Sequence, residues 1–269
     1  MTGIMTLQAL HDIALPWYVG AFALLGLIAG SLMTVVVSRL PAHIKNHSDD
    51  IWFLWRPTSH CPHCLTPVRW YHNLPLFGWL WLKGKCNHCR QPVSKMYPAL
   101  EGMTGSGFAF IAYFAPQPEI ALGLMVLGWF LLVLAVIDAQ HFLLPDSLTL
   151  TLLWAGMVFT TWHDEYRLPD AVMGAVAGYL FIWLLNRLWL LSRGYAGIGM
   201  GDAKLLAALG AWLGWQALPL ICLLAAVLGI FWLLVRYGVR DSCQQLLPFG
   251  VTLSLAGGAL ACWQAGVYG

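Results

Sequence analysis

Two aspartates stand where a charged side chain is hard to explain by structure alone. Asp138 closes the apolar run Ala135-Val136-Ile137-Asp138, and Asp202 lies in Gly199-Met200-Gly201-Asp202-Ala203-Lys204, where a polar turn enters an apolar helix. Moving a carboxylate toward hydrocarbon strips its hydration, so ionisable residues at membrane depth are functional candidates by default. Two carboxylates from separate helices at one depth can share a proton and hold a water between them. One then serves as acid and the other as base, which is aspartic-protease chemistry. Gly199 and Gly201 are supporting candidates, because without side chains they let another backbone approach Asp202. Taken alone, this motif reads equally as a glycine turn with a helix-capping aspartate. A third carboxylate, Asp146 in Leu143-Leu144-Pro145-Asp146-Ser147, is expected at the same level. Its place after proline and before Ser147 favours capping of a helix N-terminus, with support of the site as the other reading.

A second cluster of chemistry-bearing residues lies in His60-Cys61-Pro62-His63-Cys64 and Cys86-Asn87-His88-Cys89. Two CxxC knuckles at this separation predict a structural zinc site held by Cys61, Cys64, Cys86 and Cys89. Four thiolates fill tetrahedral zinc and leave no position for substrate, which assigns the ion to folding. A redox CxxC is the competing reading. His60, His63 and His88 are expected beside the site or in solvent, and Cys222, Cys243 and Cys262 as isolated small apolar residues.

These residues need elements to position them, and composition sets which. Of 269 residues, 59% are hydrophobic and 10% charged, with mean hydropathy +0.70, which excludes an ordinary soluble domain. The net charge of +2 gives no reason to expect nucleic acid as a partner. Apolar runs at about 17–39, 100–116, 119–137, 147–162, 170–191, 203–214, 216–235 and 247–266 predict an all-α polytopic membrane protein with about eight transmembrane helices. The first run reads as an uncleaved span, not a signal peptide. Three segments follow: a first transmembrane helix over 1–40, a small polar insert over 41–99 and a membrane core over 100–269. No clear internal repeat is evident. Of the 14 Lys and Arg, all except Arg167 fall on the side of the insert, so the positive-inside rule places the insert, Asp138 and Asp202 at the cytoplasmic face. Small-residue spacings such as Gly174-Ala175-Val176-Ala177-Gly178 read first as helix-packing faces.

The chain resembles the type IV prepilin peptidases along nearly its whole length. The resemblance rests on Gly30-Ser31-Leu32-Met33-Thr34-Val35-Val36-Val37-Ser38-Arg39-Leu40-Pro41, Cys61-Pro62-His63-Cys64, Trp70-Tyr71-His72-Asn73-Leu74-Pro75 and Lys83-Gly84-Lys85-Cys86. It continues through Tyr97-Pro98-Ala99-Leu100-Glu101, Ile137-Asp138, Leu144-Pro145-Asp146, Gly199 to Asp202, and Pro248-Phe249-Gly250. It implies a GxGD intramembrane aspartic protease of the bacterial inner membrane, with Asp138 and Asp202 catalytic. It implies cleavage of the short basic leader from type IV prepilins or type II secretion pseudopilins, then N-methylation of the new N-terminal residue, usually Phe, from S-adenosylmethionine. The four insert cysteines match the family's zinc set, and Gly84 and Lys85 match a segment associated with methylation. Glu101 is a candidate contributor to an acidic surface for the leader. Thr34 stands where the family usually has Asn, and Val251 where it often has Pro. A peptidase without methyl transfer, and a zinc-stabilised scaffold of a secretion machine, are the other readings.

Overall fold

The computed structural model describes residues 2–46, 54, 59–115, 117–194, 199–241 and 247–268, and Cys243 lies outside them. Among the described residues the chain is all-helical, with nine α-helices and two isolated β-bridges. The helices are α1 (Thr2–Lys45), α2 (Phe77–Trp81), α3 (Met96–Phe114), α4 (Pro118–His141), α5 (Asp146–His163), α6 (Leu168–Arg193), α7 (Met200–Leu213), α8 (Leu218–Asp241) and α9 (Phe249–Tyr268). Over its described residues, each expected apolar run falls on a helix to within a few residues of its ends. Four stretches are long and apolar enough to cross a membrane, Leu15–Lys45, Pro118–His141, Glu165–Arg193 and Trp215–Arg236. The chain divides into two compact units, Met1–Ala121 and Leu122–Gly269.

In the first unit α1 lies along α3. Contact is close because small residues face each other: a Cβ on Gly30 would collide with the Thr104 hydroxyl and come within 2.7 Å of the Glu101 Cα. Glu101, one turn into α3, is buried and accepts the Leu76 N–H at 2.8 Å and the Ser31 hydroxyl. It therefore ties α1 and the segment entering α2 to α3 and is not part of an exposed acidic surface, contrary to expectation. Leu76 has a left-handed backbone (φ 59°), unusual for a residue with a side chain, and the Glu101 bond holds the turn there. Thr34 is also buried, and its hydroxyl turns back to the Ser31 carbonyl at 2.7 Å.

The second unit is built around α7. Nine of its 14 residues are buried, among them Ala203, Leu205, Leu206 and Leu209, so the helix is apolar on nearly every side and needs helices all round it. It packs against α6 most extensively, then α5, α9 and α8. On α6, Gly174 faces Gly210 of α7 backbone to backbone, and Gly178 faces Leu206, so the small-residue spacing is a packing face.

Candidate active site and cysteine cluster

Asp138 lies in the last turn of α4 and is 5% exposed. The chain turns at Phe142, runs through Leu143 and Leu144, and re-enters a helix after Pro145, which occupies the position preceding α5. Asp202 is the third residue of α7, whose N-cap is Gly199. The capping role open to Asp202 in the sequence therefore belongs to glycine. The two carboxylates come from different helices and interact electrostatically. Two carboxylates placed this way can divide the roles of acid and base between them.

Two further features fix this geometry. The first is α9, whose opening turn approaches Asp138: the Val251 N–H donates to Oδ2 at 3.1 Å, and the Gly250 N–H donates to the same carboxylate. A Cβ on Gly250 would stand 2.8 Å from that oxygen, so glycine permits the approach. The second is Leu144, a buried wedge. The Cβ missing from Gly201 would lie 2.8 Å from the Leu144 Cβ, and that missing from Gly250 would lie 3.0 Å from its methyls. Gly201 thus receives Leu144 and does not leave open space beside Asp202, whereas a Cβ on Gly199 would meet only the Asp202 carboxylate, at 3.3 Å.

Asp146 is the first residue of α5 and binds the Lys204 ammonium of α7 at 2.6 Å. It does not cap a helix through its side chain. Lys204 follows Asp202 by two residues, so the pair joins α5 to α7 just beside the dyad. Asp146 and Ser147 also begin an apolar groove of about 650 Å³, lined along α5 by Leu150, Trp154 and Val158.

In the first unit the four sulfurs of Cys61, Cys64, Cys86 and Cys89 lie within 4.8 Å of one another. Cys61 and Cys89 are 3.7 Å apart, and Cys64 and Cys86 are 3.9 Å apart. A zinc–sulfur bond of about 2.3 Å implies tetrahedron edges of about 3.8 Å, which the two short sulfur pairs match, so the donor set and its dimensions suit the ion. The Thr66 hydroxyl and backbone pull Cys64 down to about 6. For Cys89 the Gln91 backbone acts downward, but burial and the Cys64, Cys86 and Cys61 sulfurs outweigh it and push the thiol up to about 12. Four crowded thiols resist full ionisation, and a divalent cation removes that resistance.

The knuckles are near copies, so a short internal repeat is present where none was expected. His60 through Val68 superpose in pattern on Lys85 through Val93, with bridges His60–Pro67 and Lys85–Pro92. In each, the first cysteine's N–H bonds the residue five positions on, at 3.0 and 2.8 Å, and a left-handed residue closes the turn, Leu65 (φ 56°) and Arg90 (φ 60°). Gly84 is also left-handed (φ 69°), and the Trp79 ring lies against it, where a Cβ would stand 2.7 Å from Cζ2. Lys85 sits in the second bridge, directly before Cys86.

A carboxylate pair inside an apolar helical unit is suited to activating water. Comparison with known proteins points the same way. The sequence profile of the bacterial peptidase A24 N-terminal domain matches residues 24–115, and that of the type IV leader peptidase family matches residues 125–234. The chain belongs to the type IV leader peptidase family. It is 44% identical over 256 residues to a prepilin leader peptidase/N-methyltransferase of Pectobacterium carotovorum subsp. carotovorum, covering 90% of this chain and 91% of the relative. It is 40% identical over 267 residues to the protein of that name from Aeromonas hydrophila, covering 93% and 92%. With the one from Klebsiella pneumoniae it shares 46% identity over 212 residues, covering 78% and 92%. No solved structure matches the chain.

Proposed function

We propose that this chain cleaves the leader from prepilins or pseudopilins at the cytoplasmic face of the bacterial inner membrane and methylates the amine so released. The observation that carries the reading is the convergence of Asp138 and the Gly201-Asp202 turn, from separate helices of an apolar unit, around Leu144 and the opening turn of α9. The relatives' name supplies the substrate class and the two activities. In the reaction, one carboxylate takes a proton from water while the other, protonated, donates to the scissile carbonyl oxygen. Hydroxide adds to the carbonyl carbon to give a gem-diol. The C–N bond then breaks as the proton taken from water passes to the leaving nitrogen, and the gem-diol returns a proton to the second carboxylate.

The eight long helices, α1 and α3 to α9, are read as eight crossings, with the Lys and Arg residues setting the cytoplasmic side. At 14 residues α7 is about 21 Å long, shorter than the roughly 30 Å hydrocarbon core, so a crossing by α7 starts below the surface and holds Asp202 at depth. Zinc is read as the ion of the cysteine cluster, where Cys61, Cys64, Cys86 and Cys89 would hold it and the ion would lock the paired knuckles. S-adenosylmethionine would supply the methyl group for the freed amine. Gly84 and Lys85 are assigned to the methylating segment, Gly84 through its turn against Trp79 and Lys85 through its exposed side chain. Mass analysis of the product of a purified prepilin tests both activities. Correct cleavage with one added methyl group is expected for the wild type. Loss of the methyl group alone is expected for Lys85→Ala, and a fully methylated product from that variant removes Lys85 from the assignment.

A further inference from the structure

We propose that Asp138 is the member of the dyad that holds the charge and takes water's proton, and that the backbone amides opening α9 assign it that role. The inference rests on the dyad reading above and adds the division of labour within it. The first N–H groups of a helix have no partner inside the helix and carry partial positive charge. In α9 two of them find one: the Val251 N–H donates to Asp138 Oδ2 at 3.1 Å, and the Gly250 N–H donates to the same carboxylate. The Val251 N–H is shared with the Pro248 carbonyl at 3.2 Å, the contact of a tight helical start. Hydrogen bonds of this kind favour the ionised over the protonated carboxyl.

Asp202 also lies in a helical first turn, so a helix field alone does not separate the two. What separates them is direct contact. The Asp202 N–H bonds Gly199 O at 3.2 Å and its carboxylate lies over Gly199, whereas the Asp138 carboxylate accepts from the opening turn of α9. The ionisable groups on the elements meeting here are Asp202 on α7, the Lys204–Asp146 pair between α7 and α5, and His141 one turn beyond Asp138 on α4. α9 brings no acidic residue in its first turn and no basic one in its last, so its influence on Asp138 comes from the backbone.

The test removes one N–H and follows kcat/KM for prepilin cleavage against pH. Val251→Pro deletes the donor in a first helical turn, where proline is tolerated. An ester in place of the Gly250–Val251 peptide bond deletes the same donor with the side chain unchanged, and decides the matter if the proline variant fails to fold. Val251→Ala retains the amide and is the reference. If Asp138 is the base, only the acidic limb requires it to ionise, so that limb moves up by about one pH unit while the alkaline limb stays. Activity is then lost first on the acid side. A shift of the alkaline limb instead assigns the base to Asp202, and no shift shows that the amide has no say. Either result overturns the proposal. Failure of the dyad itself would look different, as cleavage surviving Asp138→Asn or Asp202→Asn.

Discussion

Lys204 and Asp146 meet at 2.6 Å beside the dyad, yet their side chains are 26% and 62% exposed, so water screens much of the attraction. An exposed pair is worth about 0–1 kcal/mol. Asp146→Asn is therefore expected to lower stability by less than about 1 kcal/mol and to keep leader cleavage, measured by thermal unfolding and by product formation. Loss of cleavage in a folded Asp146→Asn protein would move Asp146 into the chemistry. Leu144 is the opposite case, an apolar residue with more structural weight than the nearby charges. Filling the space left by Gly201 and Gly250, it packs against the first turns of both α7 and α9. Leu144→Ala is expected to cost about 2–5 kcal/mol of stability, read from denaturant unfolding, and to depress cleavage with it. Asp138 and Asp202 were legible in the sequence because carboxylates are rare in apolar runs and each stood at a helix end. Leu144 and Gly250 were not, since their roles exist only where three helices meet and their types look ordinary. Lys204 stood in view within the glycine motif, but its partner lies on another helix.

At the level of elements, the helices follow the apolar runs closely, because backbone groups in such runs have few alternatives to helical pairing. Sequence did not disclose which helix lies at the centre. α7 is the shortest of the eight long helices and has no lipid-length run, but its small and apolar residues on every side mark it as the one surrounded by others. Its seam with α6 is tight enough to predict from. The Gly174 and Gly210 backbones touch, so a side chain at either has no flexible neighbour to displace. Gly174→Val is expected to destabilise the second unit by more than about 2 kcal/mol, seen as a lower unfolding midpoint. The same substitution at Gly107, where a Cβ meets nothing within 4 Å, should be mild by comparison. The paired knuckles show a different limit of sequence reading. The copies share the cysteines, His63 and His88, and the Pro-Val that closes each, but the intervening residues differ, and the matched hydrogen bonds and left-handed turns make the repeat plain.

Over the whole molecule, the two units hold separate sets of reactive side chains, four clustered cysteines in the first and the Asp138 and Asp202 carboxylates in the second. The matched family segments, 24–115 and 125–234, follow the same division. Metal analysis of the purified protein is expected to give about one zinc per chain, and Cys61→Ser to lose it. A wild-type protein prepared without chelators and lacking zinc would remove that assignment. The central claim is that Asp138 and Asp202 act together on the leader. Its most direct test is cleavage of a purified prepilin by the wild type, Asp138→Asn and Asp202→Asn in the same membrane preparation, each checked for folding. A loss of at least about 10³-fold is expected in both variants, since either substitution breaks the acid–base pair. Normal cleavage by either folded variant would contradict the account.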